Sequence, residues 1–369
     1  MTSMACPEVA LKKSELLELF LALCRIDSPS GEEKSVGDYV IKHFARHKIR
    51  AGRDAYGNVI AKVPGEGKPL VISAHLDTVE PGRGVKPVVR NGVVRSDGRT
   101  ILGADDKAGL AAAIAVAEEA VDRGWRIRPL ELVFTRQEEA DLDGVHHLDR
   151  NRIRAREGLI LDGSDAPGRI TIASPYIYNV EIKVKGRAAH AGVEPQKGIN
   201  ALAIAADAIR ALKLGRIDRQ TTANIGTLAA GTAVNSIPPE AVMRAEARSH
   251  SQKSALAQID LMKRAFKRAV RRRRGAKLYF KSTLACRGYR YDKQDPFIKE
   301  LKAAMTAHGW KVAWEESCGA SDANVWAEKR IQAVEISVGY RDAHTTGEWI
   351  KVDDIWSVFR FLGAYIQVT

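Results

Sequence analysis

The 369-residue chain reads as an α/β protein: a mostly parallel sheet with helices on both faces, interrupted by an inserted α+β unit. Two observations predict this. The short apolar run at 70–74 has the texture of a strand buried on both faces, 130–135 and 158–161 read as further buried strands, and helical patterns alternate with them. Near Tyr176 the texture changes to half-exposed strands and amphipathic helices, and the first texture returns from about Asp295. The expected domains are therefore 1–176 with 292–369, and 177–291 between them.

The elements follow in order. Residues 14–26 and 30–47 pattern as helices. The second opens with Ser30 and Glu33 at capping-box spacing and carries Val36, Tyr39, Val40 and Phe44 on one face. Residues 58–63 form a strand closed by Pro64-Gly65. Residues 80–100, rich in glycine and charge, form a loop or a hairpin turning at Asn91-Gly92. A helix runs from about Asp106 to Arg123. In the insert, strands at 178–185, 223–228, 241–249 and 276–283 and helices at 198–212 and 254–274 suit a small, mostly antiparallel sheet with helices on one face. Helix 295–308, strand 332–338 and helix 352–365 complete the first domain.

Composition narrows the class. The net charge is +13 and the isoelectric point about 9.6, with the excess densest at 263–277, including Arg271, Arg272, Arg273 and Arg274. An anionic partner such as nucleic acid is one reading of that run. No aromatic residues interleave with it to stack bases, so a solvated helix face is preferred. Cys6, Cys24, Cys286 and Cys318 are scattered without pairing, which suits a reducing, cytoplasmic compartment. The apolar run at 16–23 is flanked and broken by glutamates, so it reads as an amphipathic helix rather than a signal peptide. No uncharged run approaches the roughly 18 residues of a membrane span.

The chemistry centres on Gly103-Ala104-Asp105-Asp106-Lys107-Ala108-Gly109, at a loop-to-helix junction. Adjacent aspartates repel and raise each other's pKa, which a bound cation would relieve. The other reading is an acidic helix cap. The rest of the chain favours the cation. In parallel sheets, ligands gather at the carboxyl ends of strands. Here those ends carry His75-Leu76-Asp77, Glu138-Glu139, Asp162 and His344. A lone histidine at a strand end is more often structural. With Asp105, at least five metal-competent side chains on one rim argue against independent accidents. Two imidazoles with several carboxylates suit zinc, manganese or cobalt, and a carboxylate can bridge two cations. Asp77, two residues past His75 on the same face, can hold the imidazole's other N–H. Of Glu138 and Glu139, one can bind metal while its neighbour serves as general base.

Together with Leu161-Asp162-Gly163, Ala189-His190-Ala191-Gly192 and His344-Thr345-Thr346-Gly347-Glu348, these motifs resemble the M20 di-zinc metallopeptidases. The likeness extends over essentially the whole chain and is strongest to the peptidase T (tripeptide aminopeptidase) branch. The resemblance implies two divalent metal ions, Zn2+ with Co2+ or Mn2+ as alternatives. His75, Asp105 and Asp162 would hold one, and Asp105, Glu139 and His344 the other. Glu138 would be the base and Asp77 would orient His75. A cis peptide is expected at Asp105-Asp106. The insert would be a lid/dimerisation domain of a homodimer. His190 would reach the active site of the partner subunit and steady the oxyanion. Asn235, Arg248 and the loop 319–322 beginning at Gly319 resemble substrate-contacting positions.

Two departures stand out. Asp141 and Asp143 follow Glu139 where a short apolar-glycine sequence is common, and His146 and His147 are expected at the surface. No clear substrate-carboxylate motif accompanies Asn235, which leaves tripeptide specificity open. The expected function is hydrolysis of short peptides by an aminopeptidase. An M20-type carboxypeptidase or N-acyl-amino-acid amidohydrolase is the alternative within enzymes. A binding protein that lost catalysis and a nucleic-acid-binding protein are the alternatives outside them.

Overall fold

The computed structural model describes residues 8–368, so Cys6 lies outside the described residues. The chain divides into two compact units. The first runs to Ile172 and includes Tyr291–Glu316 and the chain from Ser321. The second is Ala173–Arg290 with Ser317–Ala320. That last tetrapeptide was expected with the first domain.

In the first unit the sheet runs Arg50–Arg53, Val59–Val63, Leu130–Thr135, Leu70–His75, Glu157–Gly163, Gln332–Ser337, Arg169–Ser174. The middle four strands are mutually parallel, while the flanking pairs are antiparallel. Every residue of Leu70–His75 and Leu130–Thr135 is buried, including Glu131, whose carboxylate pairs with Lys62 at 2.8 Å. The mixed margin arises because Arg50–Arg53 and Val59–Val63 are joined by a short loop, which permits only an antiparallel pair. A separate small sheet holds the hairpin of Val88–Arg90 and Val93–Arg95. Its two-residue turn is Asn91-Gly92 with φ of 51° and 73°, the paired positive values that a twisted hairpin needs.

Helix Ala104–Asp122 is the core of this unit. It is apolar nearly all round and is buried from Ala104 to Ala120. It packs on Leu70–His75 and Glu157–Gly163 and against helices Lys13–Cys24 and Val352–Tyr365. Gly109 makes the strand contact possible. A Cβ there would meet the Leu161 carbonyl oxygen at 2.2 Å, so only glycine lets the helix approach the strand that carries Asp162.

The second helix begins at Lys34, later than the capping pattern predicts. Ser30 and Glu33 are used elsewhere. Ser30 Oγ donates to Asp77 Oδ2 at 2.6 Å, and Glu33 accepts from Gly31 N, Gln137 N and Arg136 Nε.

The second unit is an antiparallel sheet in the order Gly215–Arg216, Thr221–Ala230, Glu240–Ser249, Tyr176–Lys185, Lys277–Cys286. Helices Ala201–Arg210 and Gln252–Arg271 pack on it and on each other. Alternation along Tyr176–Lys185 sends Val180, Ile182 and Val184 into this core, where they meet Met262 and Phe266. Among the described residues no helix is long and apolar enough to cross a membrane.

Candidate metal centre

The carboxyl ends of the parallel strands and the start of helix Ala104–Asp122 build one cluster. His75 is the last residue of its strand, Asp162 the penultimate residue of Glu157–Gly163, and Glu138 and Glu139 follow Leu130–Thr135. Asp105 faces two imidazoles with its two oxygens. Oδ1 is 3.0 Å from His75 Nε2, and Oδ2 is 3.3 Å from His344 Nε2. Asp162 Oδ1 lies 3.6 Å from His75 Nε2, and Glu139 Oε1 lies 2.7 Å from His344 Nε2. Donor atoms of His75, Asp105 and Asp162 fall within 4.8 Å of one another, as do those of Asp105, Glu139 and His344 and those of His75, Glu138 and Glu139.

The two readings of the aspartate pair are divided between its members. Asp105 faces the imidazoles. Asp106 does the capping: Oδ1 accepts from Gly109 N at 3.1 Å and Oδ2 from His75 N at 3.2 Å. The peptide between them is cis. Asp77 differs from expectation in detail. His75 Nδ1 donates to the Asp77 backbone carbonyl at 3.0 Å, and the carboxylate is 3.4 Å away. The carboxylate mainly accepts the backbone N–H groups of Glu138 and Glu139, at 3.0 and 3.2 Å, with Ser30 as a third donor. Asp77 thus holds the turn carrying both glutamates while its backbone sets the His75 tautomer.

Burial and like charge dominate the electrostatics of the cluster. Burial pushes Asp106, Glu138 and Asp162 well above the carboxylate range, and neighbouring carboxylates add to it. Burial alone would do the same to Asp105, but hydrogen bonds from His344 and His75 hold it low. His344 is raised to about 10 by hydrogen bonds to Asp105 and Glu139. Burial opposes a charged His75, yet Asp162 and Asp105 keep its pKa well above the imidazole value. Crowded buried acids beside two imidazoles form a donor set suited to positive charge. The donors fit divalent cations of the zinc type.

Several supporting residues escaped sequence reasoning. Glu348 is 1% exposed. Its Oε2 accepts from Leu102 N and Gly103 N at 2.8 and 2.7 Å, and its Oε1 from Asp105 N at 2.9 Å. It ends the motif His344-Thr345-Thr346-Gly347-Glu348, the one sequence signal for it. Lys107 Nζ is buried, contacts Ser28 Oγ and donates to the Leu76 carbonyl at 2.9 Å; burial lowers its pKa to about 8. Tyr340 OH donates to the Asp162 carbonyl at 2.5 Å and lies 3.2 Å from Oδ1. Nothing local in the sequence marks Tyr340.

Comparison with known proteins identifies the site's lineage. A family model described as a peptidase dimerisation domain matches residues 172–274, and one described as peptidase family M28 matches 58–192. The uncharacterised protein YqjE of Bacillus subtilis is 38% identical over 97% of this chain and 99% of its own length. Aminopeptidase PepT from Bacillus cereus is 34% identical with a TM-score of 0.88, covering 96% of this chain and 98% of that one. A tripeptidase from Staphylococcus aureus is 30% identical with a TM-score of 0.92, covering 97% and 98%. The chain belongs to the M20 metallopeptidases.

In this M20 chain the other expected site residues lie in the second unit. His190 is exposed, and its Nδ1 accepts from Gly192 N and Val193 N at 3.2 and 3.1 Å. With Nδ1 an acceptor, the proton sits on Nε2. Its strand neighbour is Ser236, and Ala191 N donates to the Asn235 carbonyl at 2.9 Å, so His190 and Asn235 share one loop cluster. Arg248 forms a two-pronged pair with Glu246 at 2.9 and 2.8 Å and lies 3.4 Å from the Cys318 carbonyl, beside Gly319. Gly319 O accepts from Ser174 Oγ at 2.8 Å. His146 and His147 are exposed, the latter stacked on Tyr56 at 4.3 Å.

Proposed function

We propose that this chain is a di-zinc aminopeptidase that removes the N-terminal residue of di- and tripeptides, working in the cytoplasm as a homodimer through the second unit. One observation carries the reading: the two oxygens of Asp105 each face a different imidazole, as a carboxylate shared by two cations must. The names of the aminopeptidase and tripeptidase relatives support the substrate class, and the matched dimerisation model supports the assembly.

His75, Asp105 and Asp162 would hold one cation, and Asp105, Glu139 and His344 the other. Bound divalent cations supply a Lewis acid that acidifies water and polarises a carbonyl. Glu138 takes a proton from the attacking water and delivers it to the leaving amine. Its backbone is pinned by Asp77, which keeps the carboxylate in place through both transfers. His190 would reach the partner subunit's active site and offer its Nε2–H to the oxyanion that forms there on the substrate carbonyl.

The test is Glu138→Ala. The variant should keep wild-type cation content while tripeptide turnover falls about 10²–10⁴-fold, the usual worth of a general acid–base group. A near-normal rate would remove Glu138 from the mechanism. Free tripeptides compared with N-acetyl amino acids, with and without chelator, separate the aminopeptidase from an amidohydrolase using the same centre.

A further inference from the structure

Away from Asp105, a second set of donors converges between two helices of the first unit. His43 and His47 stand one turn apart on helix Lys34–Arg46 and its C-terminal cap, facing Glu118 and Asp122, one turn apart at the end of Ala104–Asp122. Four-residue spacing puts each pair on one helix face. One ligand atom each from His43, His47 and Glu118 lies within 4.8 Å of the others. His43 Nδ1 is 2.5 Å from Glu118 Oε1, and His47 Nε2 is 3.7 Å from Glu118 Oε2. The other nitrogen of His47, Nδ1, is 2.6 Å from Asp122 Oδ2. Glu118 is buried, and the group borders a cavity of about 600 Å³ also lined by Leu16, Leu19, Arg25 and Tyr39.

We propose that His43, His47 and Glu118 form a further divalent-cation site of the zinc type, separate from the Asp105 centre, with Asp122 orienting His47. The spacing is the first support. A tetrahedral zinc with bonds near 2.1 Å separates its ligands by about 3.4 Å. The 3.7 Å gap between His47 and Glu118 is too long for a hydrogen bond and close to that value. The tautomer is the second support. A carboxylate that accepts Nδ1–H leaves the Nε2 lone pair aimed at Glu118, the arrangement by which carboxylates set ligating histidines.

Charge is the third support. The two imidazoles stack at 5.9 Å with their planes 12° apart, so both present a ring nitrogen toward Glu118. A single divalent cation balances the two carboxylates, Glu118 and Asp122. Entry requires only that the His43–Glu118 contact lengthen. Three protein ligands leave a coordination position free for water, unlike a closed structural site. Occupancy ties helix Lys34–Arg46 to the helix whose first turn holds Asp105.

The test uses the full-length protein with its Asp105 centre already loaded. Zinc chloride alone is titrated in and bound zinc is counted by emission spectroscopy. The wild type should take up one further zinc ion that His43→Asn/His47→Asn lacks, while peptide turnover at the loaded centre is unchanged. Should the double variant fail to fold, His47→Gln removes one ligand and leaves the His43–Glu118 contact. Asp122→Asn should weaken the further zinc by about 10–100-fold while keeping the three ligands, an effect that a mere ion-pair role would not produce. Equal zinc uptake by the wild type and His47→Gln would overturn the proposal, as would unaltered affinity in Asp122→Asn.

Discussion

In the first unit, Asp105 has an imidazole on each oxygen, its backbone N–H on Glu348 and a buried helix behind it. In the second, His190 and Asn235 are exposed and lie in a loop cluster joined by a few backbone hydrogen bonds. Except for His344, an exposed turn residue, the first set is fixed near strand ends or a helix start, whereas the second is presented on a surface. Cation binding demands the first, because several ligands must meet one point within a few tenths of an ångström. Groups that touch a substrate can close around it, and loops carry them well. If this division is real, variants in the first unit change cation content, whereas variants in the second change turnover or substrate affinity and leave the cations in place.

The largest effect should come from Asp105→Asn. It removes the one carboxylate shared by both candidate sites, so both cations lose a ligand and the charge that His75 and His344 answer to. Metal analysis should show cation loss, with peptide turnover at background. A variant that kept two cations would break the comparison at its strongest point. His190→Ala comes next. Loss of one oxyanion donor costs about 10²–10³ in kcat, with cation content unchanged. Cation loss in that variant would mean that the two units are not separate in function.

The same contrast explains what could be read from the sequence. His75, Asp105, Glu139, Asp162 and His344 were legible because each is a chemically distinctive residue at the end of an apolar run or in a marked motif. Strand ends of a parallel sheet share one rim whatever the details of packing. Tyr340 was not legible, because its role depends on a hydroxyl reaching Asp162 across the fold. Ser30 and Glu33 were misread. A capping-box pattern is local, and here Asp77 and Arg136, distant in sequence, compete for those side chains and win. The mixed margins of the sheet were missed for a similar reason: Arg50–Arg53 and Arg169–Ser174 have no distinctive run and are strands because a partner strand pairs with them.

Glu348→Gln tests the rigidity of the first unit without touching a candidate ligand. Three N–H groups share the carboxylate, and a carboxamide has only one oxygen to offer them. One buried N–H is then left facing an NH2, at a cost of about 1–3 kcal/mol in stability. Because Asp105 N is among the three, cation affinity should also fall by about 10–100-fold. Thermal unfolding and metal titration read the two effects separately. A loss of stability with undiminished affinity would show that the Asp105 loop does not need its clamp.

The smallest effect is expected at Arg248. Its guanidinium is not free to wait for a substrate carboxylate, since Glu246 on the same strand already grips it with both oxygens. A substrate carboxylate must share or displace that partner, so the net gain from Arg248 is that of a partly exposed ion pair, about 0–1 kcal/mol. Arg248→Ala should therefore raise KM by no more than about fivefold and leave kcat alone, the signature of binding equally to substrate and transition state. Glu246→Gln sharpens the point, because it frees the guanidinium and should lower KM for peptides with a free carboxyl terminus. If Glu246→Gln instead raised KM, the Arg248–Glu246 pair would be acting as one rigid unit, and the second unit would share the preorganisation that here distinguishes the first.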